Sequence, residues 1–341
     1  MPGSRALAPH LDTAYDETGR PDGCPWARWF LAHALCGTGS QSEGGVLTGR
    51  ALDGFRAHGD RWGEAAALAD RSVQRLLAGD VAGSQRDAAR SDALFAELGG
   101  ACSRLWSVYP LATVAEIHGE YERADRLKRA GLAAAEGLGL TTEVPDLLAG
   151  IGRTALLRGD LDEARTYHAA ARERAVEVGF RAGEINAVLG LGLGARRAGL
   201  VEEAEAHMRE VLDWHRAVGL DSANALVPAE PGFSALARGD AAGALKLQEE
   251  GYGTALASGD PRAVALALEG LASAHAAAGQ ARGAALLLGA AAALRASTGA
   301  PLPPAERLDV DRTGRTARNP WVRPPSRRPS RTARPCPTRR R

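Results

Sequence analysis

The chain has 341 residues, 45% of them hydrophobic and 24% charged, with a formal net charge of +1. That composition belongs to a folded globular chain and excludes a low-complexity or collagen-like one. Aromatics make up only 5%, and the abundance of Ala and Leu favours close-packed helices over a β sandwich.

Residues 1–22 are polar and rich in Gly, Pro and Asp, and read as a polar N-terminal segment. From there a ruler takes over. Gly stands at every twentieth position from Gly39 through Gly159 to Gly299. Alternate members of that series are followed, five residues on, by a small residue: Gly79/Ser84, Gly119/Ala124, Gly159/Ala164, Gly199/Ala204, Gly239/Ala244 and Gly279/Ala284. A fixed period of this kind is the signature of stacked structural repeats, each packing only on its neighbours.

The ruler divides the chain into helix pairs. First helices are expected over residues 25–37, 63–78, 103–118, 143–158, 183–198, 222–238 and 262–278. Second helices follow over 43–58, 81–98, 121–138, 161–178, 201–218, 241–258 and 281–298. Within 161–178, Leu161, Ala164, Ala171, Ala175 and Val178 mark an apolar stripe, and Asp162, Glu163, Arg165, Arg172 and Glu173 face water. A Gly after each helix accepts the left-handed conformation that ends it. Asp60, Asp80, Asp160, Asp240 and Asp260 are placed to cap the next helix. Pro228 and Pro231 predict a late start or kink in the 222–238 helix, and Tyr109-Pro110 a disturbance of the helix at 103–118.

Charge is distributed unevenly. From Arg312 to Arg341 there are eleven Arg and no acid, whereas residues 1–311 hold 31 basic and 41 acidic side chains. Residues 301–341 therefore read as a Pro/Arg-rich basic tail, too poor in large apolar residues to build a core and expected to be disordered. Such a tail offers weak, nonspecific nucleic-acid binding. Cys24, Cys36, Cys102 and Cys336 form no C-x-x-C pair and read as free thiols of a reducing cytosol. With no signal pattern and no long apolar run, a cytoplasmic protein without membrane contact is expected.

The repeat resembles the tetratricopeptide (TPR) family, whose helices cross at small residues. Seven residues before the turn Gly stand Ser72, Ala112, Gly152, Gly192, Gly232 and Ala272. Twelve after it stand Ser91, Gly131, Ala171, Val211, Gly251 and Ala291, with Val211 the one bulky member. These columns let backbones approach closely. The period is 40 rather than the family's usual 34, so the helices are longer. The resemblance implies an all-α, right-handed superhelical solenoid of about seven helix pairs over residues 23–300. Asp260 to Gly270, Ala285 to Ala290 and Gly299 to Arg312 further resemble the C-terminal region of large actinobacterial transcriptional regulators of the SARP/BTAD and LuxR types. There the repeats follow an ATPase domain and a DNA-binding domain. This chain carries no phosphate-loop motif and no separate helix-turn-helix unit, so the resemblance extends to the repeat part alone.

No catalytic constellation is evident, and no cofactor or metal is expected. None of the eight His has metal-ligand spacing. Gly190-Leu-Gly192-Leu-Gly194 superficially matches a nucleotide loop, but it lies in mid-helix with no strand before it. What remains is the concave groove that the family forms from its first helices. Carrying over the inward positions gives Trp106, Tyr109, Glu116, Asp146, Arg153, Asn186, Arg196, Phe233 and Glu269 as groove-binding candidates. The expected occupant is a protein or peptide, including a regulator's ATPase or DNA-binding protein, or a small-molecule ligand. Two other readings stand beside a sensor module: a free-standing adaptor and a remnant of a split regulator gene.

Overall fold

A computed structural model describes residues 24–37, 41–218 and 226–318. Among these residues there are fifteen α-helices and no strand. They run α1 (Cys24–Gly37), α2 (Gln41–Ala57), α3 (Arg61–Leu77), α4 (Val81–Glu97), α5 (Ala101–Ile117), α6 (Tyr121–Leu138), α7 (Glu143–Arg158) and α8 (Leu161–Glu177). Then come α9 (Arg181–Arg197), α10 (Val201–Val218), α11 (Leu226–Ala237), α12 (Ala241–Ser258), α13 (Pro261–Ala277), α14 (Ala281–Thr298), a 3-10 turn (Pro304–Glu306) and α15 (Arg307–Arg318). The first fourteen form seven antiparallel pairs, each helix packing on the next, as the glycine ruler predicts.

The turns work as the sequence implies. Gly159 caps α7 at φ 85°, and the backbone N–H of Gly159 and Asp160 return to the carbonyls of Leu156 and Ala155. Asp160 then accepts from the Glu163 N–H at 3.0 Å to start α8. Asp60, Asp80, Asp240 and Asp260 cap their helices in the same way. The small columns are buried: Ser84, Ala124, Ala164, Ala204, Ala244 and Ala284 are all within 1% of full burial.

Pro110 is absorbed: the helix from Ala101 runs unbroken through it, buried. The helix expected over 222–238 is described from Leu226 as the shorter α11, which contains Pro231. Pro110 removes one hydrogen bond from α5, but α3, α4 and α6 pack around that helix and hold it. The tail boundary also differs from expectation. Residues 304–306 form a turn against α7, and residues 307–318 are helical and dock on α13 and α14 instead of beginning a disordered segment. Small side chains explain it, since Thr313 and Ala317 are the buried residues of α15 and Thr313 meets Ser273 of α13 at 2.9 Å. Expectations for residues 1–22 and for the Arg-rich stretch beyond Arg318 lie outside the described residues.

One feature of the packing was not anticipated. Nine residues after alternate turn glycines, a second helix sends a side chain forward between two first helices. His168 of α8 lies between Gly152 of α7 and Gly190 of α9, where added Cβ atoms would stand 2.8 Å and 2.1 Å from its ring. Gln248 of α12 does the same between Gly232 and Gly270, and donates to the Ala229 carbonyl at 3.0 Å. Met208 of α10 fills the space at Gly192. The Gly190–Gly194 run is therefore a helix-packing surface. Its glycines leave room for side chains from behind.

These wedges set stability. Gly190→Ala is expected to lower it by about 2 kcal/mol through overpacking against the immobile His168 ring, with His168→Ala relieving the crowding in chemical denaturation. Burial, reinforced by Arg153 and Lys128, lowers the His168 pKa from 6.5 to about 4. Between those values the unfolded chain binds more protons than the folded one. The contribution is thus complete above pH 6.5 and falls away as pH drops toward 4, by about 3 kcal/mol in all. His168→Met, which copies Met208, should flatten that window in denaturation curves taken from pH 7 to 4.

Candidate functional site

The first helices α3 and α5, α7 and α9, and α11 and α13 pack side by side, so they form an inner layer backed by the second helices. This layer carries most of the unusual chemistry of the chain. Its N-terminal part is aromatic. Trp26 of α1 stacks on Trp62 of α3 with ring centroids 5.4 Å apart, and Trp29 stacks on Trp106 of α5 at 5.8 Å. Trp106 is 42% exposed and Tyr109, one turn on, is 57% exposed. Two of the three groove candidates on α5 therefore reach the surface; the third, Glu116, does not.

The middle of the layer is ionic. Glu116 of α5 is 3% exposed and forms a close ion pair with Lys128 of α6, itself 6% exposed. Lys128 also donates to the Gly150 carbonyl at 2.8 Å and to Thr154 Oγ1 at 2.9 Å, both on α7. Thr154 Oγ1 lies 2.8 Å from Glu116 Oε1, and Arg153 Nε lies 3.4 Å from the other Glu116 oxygen. Burial pushes the Lys128 pKa down, and Glu116 opposes the shift. The cluster ties α5, α6 and α7 together at the position where neighbouring units use His168 and Met208. Burial raises the pKa of Asp146 of α7, and Asn186 of α9, across the next boundary, opposes the shift.

Arg196 and Arg197 end α9 and point to different partners. Arg196 Nε lies 2.6 Å from Glu230 of α11, close but not aligned as a hydrogen bond, and its guanidinium sits 4.8 Å above the Phe233 ring. Arg197 donates to the Leu156 carbonyl of α7 at 2.7 Å. Each Arg then meets one acid of the C-terminal segment. Arg196 bonds Asp309 at 2.9 Å and Arg197 bonds Glu306 at 3.1 Å. Burial raises the Glu230 pKa against the pull of Arg196 and Arg197. Burial lowers that of Arg197; Glu306 opposes this, and the nearby charges of Arg196 and Arg153 add to it. Three guanidiniums thus converge on one stretch of the inner layer.

The nine candidates do not form one site. Trp106 and Tyr109 lie at the aromatic end, and Arg153 and Arg196 belong to the arginine cluster. Asp146 and Asn186 face each other across the α7–α9 boundary. Glu116, Phe233 and Glu269 are buried in the wall rather than presented on it, at 3%, 7% and 5% exposure. Glu269 is held by both nitrogens of an Arg295 fork at 2.6 and 2.8 Å. Arg197, Glu230, Lys128, Glu306 and Asp309 were not foreseen. Lys128 could have been found as a charged member of the column nine residues after the turn. Glu306 and Asp309 could have been found as acids in a stretch otherwise dominated by Arg.

Among the described residues no group of His, Cys, Asp or Glu is placed to hold a metal ion, and no helix is long and apolar enough to cross a membrane. A half-open depression lined by Leu140, Thr141, Val144 and Val178, together with Glu136 and Arg174, lies apart from the groove candidates.

Neither a family model nor a curated protein matches the sequence. Solved structures do match the fold. A Rap protein complexed with Competence and Sporulation Factor aligns with a TM-score of 0.69 at 14% identity, over 80% of this chain and 75% of that one. The apo form of RapI aligns at 0.56 and 14% identity, over 84% and 99%. The chain is an α-solenoid of TPR-like helix pairs.

Removing one partner of the Glu116–Lys128 pair should cost about 3–5 kcal/mol, because the other charge is left buried. Glu116→Leu is expected to show that loss in thermal denaturation. Glu116→Leu with Lys128→Met should recover most of it.

Proposed function

We propose that this chain is a noncatalytic, cytoplasmic interaction module that receives a protein or peptide segment on its first-helix face. It serves as the sensing part of a transcriptional regulator, acting on that regulator's ATPase and DNA-binding parts. One observation carries the reading: a segment of polypeptide already lies on that face. Residues 304–309 rest against α7 and α9, and their carboxylates engage Arg196 and Arg197. A surface that positions two guanidiniums for one short segment has the chemistry of a peptide site.

Two lines of support point the same way. The similar Rap structure is a complex with Competence and Sporulation Factor. The Gly299 to Arg312 stretch resembles the terminal region of regulators in which repeats govern an ATPase. The exposed face of Tyr109, which acts electrostatically on Arg153, adds an apolar contact beside the arginines, as recognition of a mixed segment requires. Small-molecule recognition has less behind it, since the depression at Val144 and Val178 is apart from this chemistry.

Selection of peptides from a display library on the full chain tests the proposal. Selected peptides should bind the full chain and weaken by about tenfold on an Arg153→Gln, Arg197→Gln chain. Peptides that bind both chains equally would move the site off this face.

A further inference from the structure

The turn of the second pair reaches the seventh. A Cβ added at Gly79 would stand 2.6 Å from Pro261 and 3.3 Å from Thr298. The C-terminal arm crosses the inner layer. It leaves α14 at Gly299, touches α7 through the turn at 304–306, and then docks as α15 on α13 and α14.

The arm is held weakly by apolar contact. Of residues 301–318, only Thr313 and Ala317 are buried, and Leu308 is 71% exposed. Its helix contains Gly314 and three β-branched residues, Val310, Thr313 and Thr316, none of which favours a short helix. What the arm offers instead is charge. Glu306 and Asp309, three residues apart, reach two consecutive arginines whose side chains leave α9 in different directions. Arg153 of α7 is electrostatically coupled to Glu306 and its side chain remains 43% exposed. Arg153, which also faces Glu116, is therefore the one guanidinium of the cluster that the arm does not hydrogen-bond.

We infer that residues 301–318 are a tethered occupant of a site for acidic peptide segments. A partner segment bearing two carboxylates three residues apart displaces the arm from Arg196 and Arg197 and gains Arg153 as well. The inference rests on the first-helix face being the binding face. It adds the chemical class of the partner and the competition that gates it. Because the competitor is intramolecular, its effective concentration is high, and a free segment must overcome it. Weakening the arm's own carboxylates should therefore increase affinity for an acidic segment while leaving the arginines untouched.

A labelled synthetic peptide with the sequence of residues 301–318 is the probe, titrated into three forms of the full chain. Glu306→Gln with Asp309→Asn should bind it at least about tenfold more tightly than the unaltered chain, with affinity falling as salt rises. Adding Arg197→Gln should abolish the gain. Hydrogen exchange supplies a readout independent of stability: saturating peptide should speed exchange of the backbone amides in 307–318 of the unaltered chain. Equal affinity for the unaltered and carboxamide chains overturns the inference, as does unchanged exchange in α15. A DNA duplex that displaces the arm as readily as the peptide would also overturn it, by making the site a phosphate site. If the display peptides still weaken on the Arg153→Gln, Arg197→Gln chain while the arm fails these tests, the binding face stands and the gate alone falls.

Discussion

Neighbouring first helices can stand close together only where one backbone presents no side chain to the other. The glycines at 152, 190, 192, 232 and 270 provide that space, and a side chain from the helix behind then fills it. His168, Met208 and Gln248 are such wedges, and Lys128 is a fourth, reaching past Gly150 to Glu116. Close packing leaves no room for either partner to change alone. The glycine and its wedge therefore form one structural unit, repeated along the wall with different chemistry each time. Curvature of the inner layer follows from this spacing, and so does the convergence of residues that are distant in sequence.

The wall pairs its buried charges locally. Glu116 has Lys128 and Thr154, Glu230 has Arg196, and Glu269 has Arg295. Buried ion pairs of this sort add little net stability over apolar packing, but they penalise misalignment strongly because a displaced partner strands a charge. Two of the pairs join the helices of one hairpin, α5 with α6 and α13 with α14, and the third joins α9 to α11 of the next hairpin. They favour one relative placement of the units. An arginine cluster assembled from α7 and α9 needs such a fixed placement to present its guanidiniums in register.

The charge asymmetry of the chain takes on a different meaning once the arm is placed. The last acids before the Arg-rich stretch, Glu306, Asp309 and Asp311, lie in the segment that crosses the inner layer. Two of them neutralise arginines that the wall's own acids leave partly unpaired. The acidic end of the arm, rather than its basic composition, determines where it docks. With few apolar side chains buried, that docking is governed by charge and by the small residues at Thr313 and Ala317.

Fold class, repeat length, the seven pairs and their turns were legible in the sequence, because each depends on residues within one turn of one another. A left-handed glycine, an aspartate cap and a small residue at a crossing act locally, and their spacing repeats. Trp106, Tyr109 and Arg153 came as groove candidates from the family resemblance, carried over by position, and not from any local pattern of their own. Tertiary structure alone decided the rest. Whether Glu116 or Glu269 faces solvent depends on a lysine or arginine arriving from the next helix, and no local pattern records that arrival. The meeting of Arg196 with Asp309 spans 113 residues. It exists because successive units rotate far enough to bring the end of the chain back across its middle, and that rotation accumulates from packing at every interface.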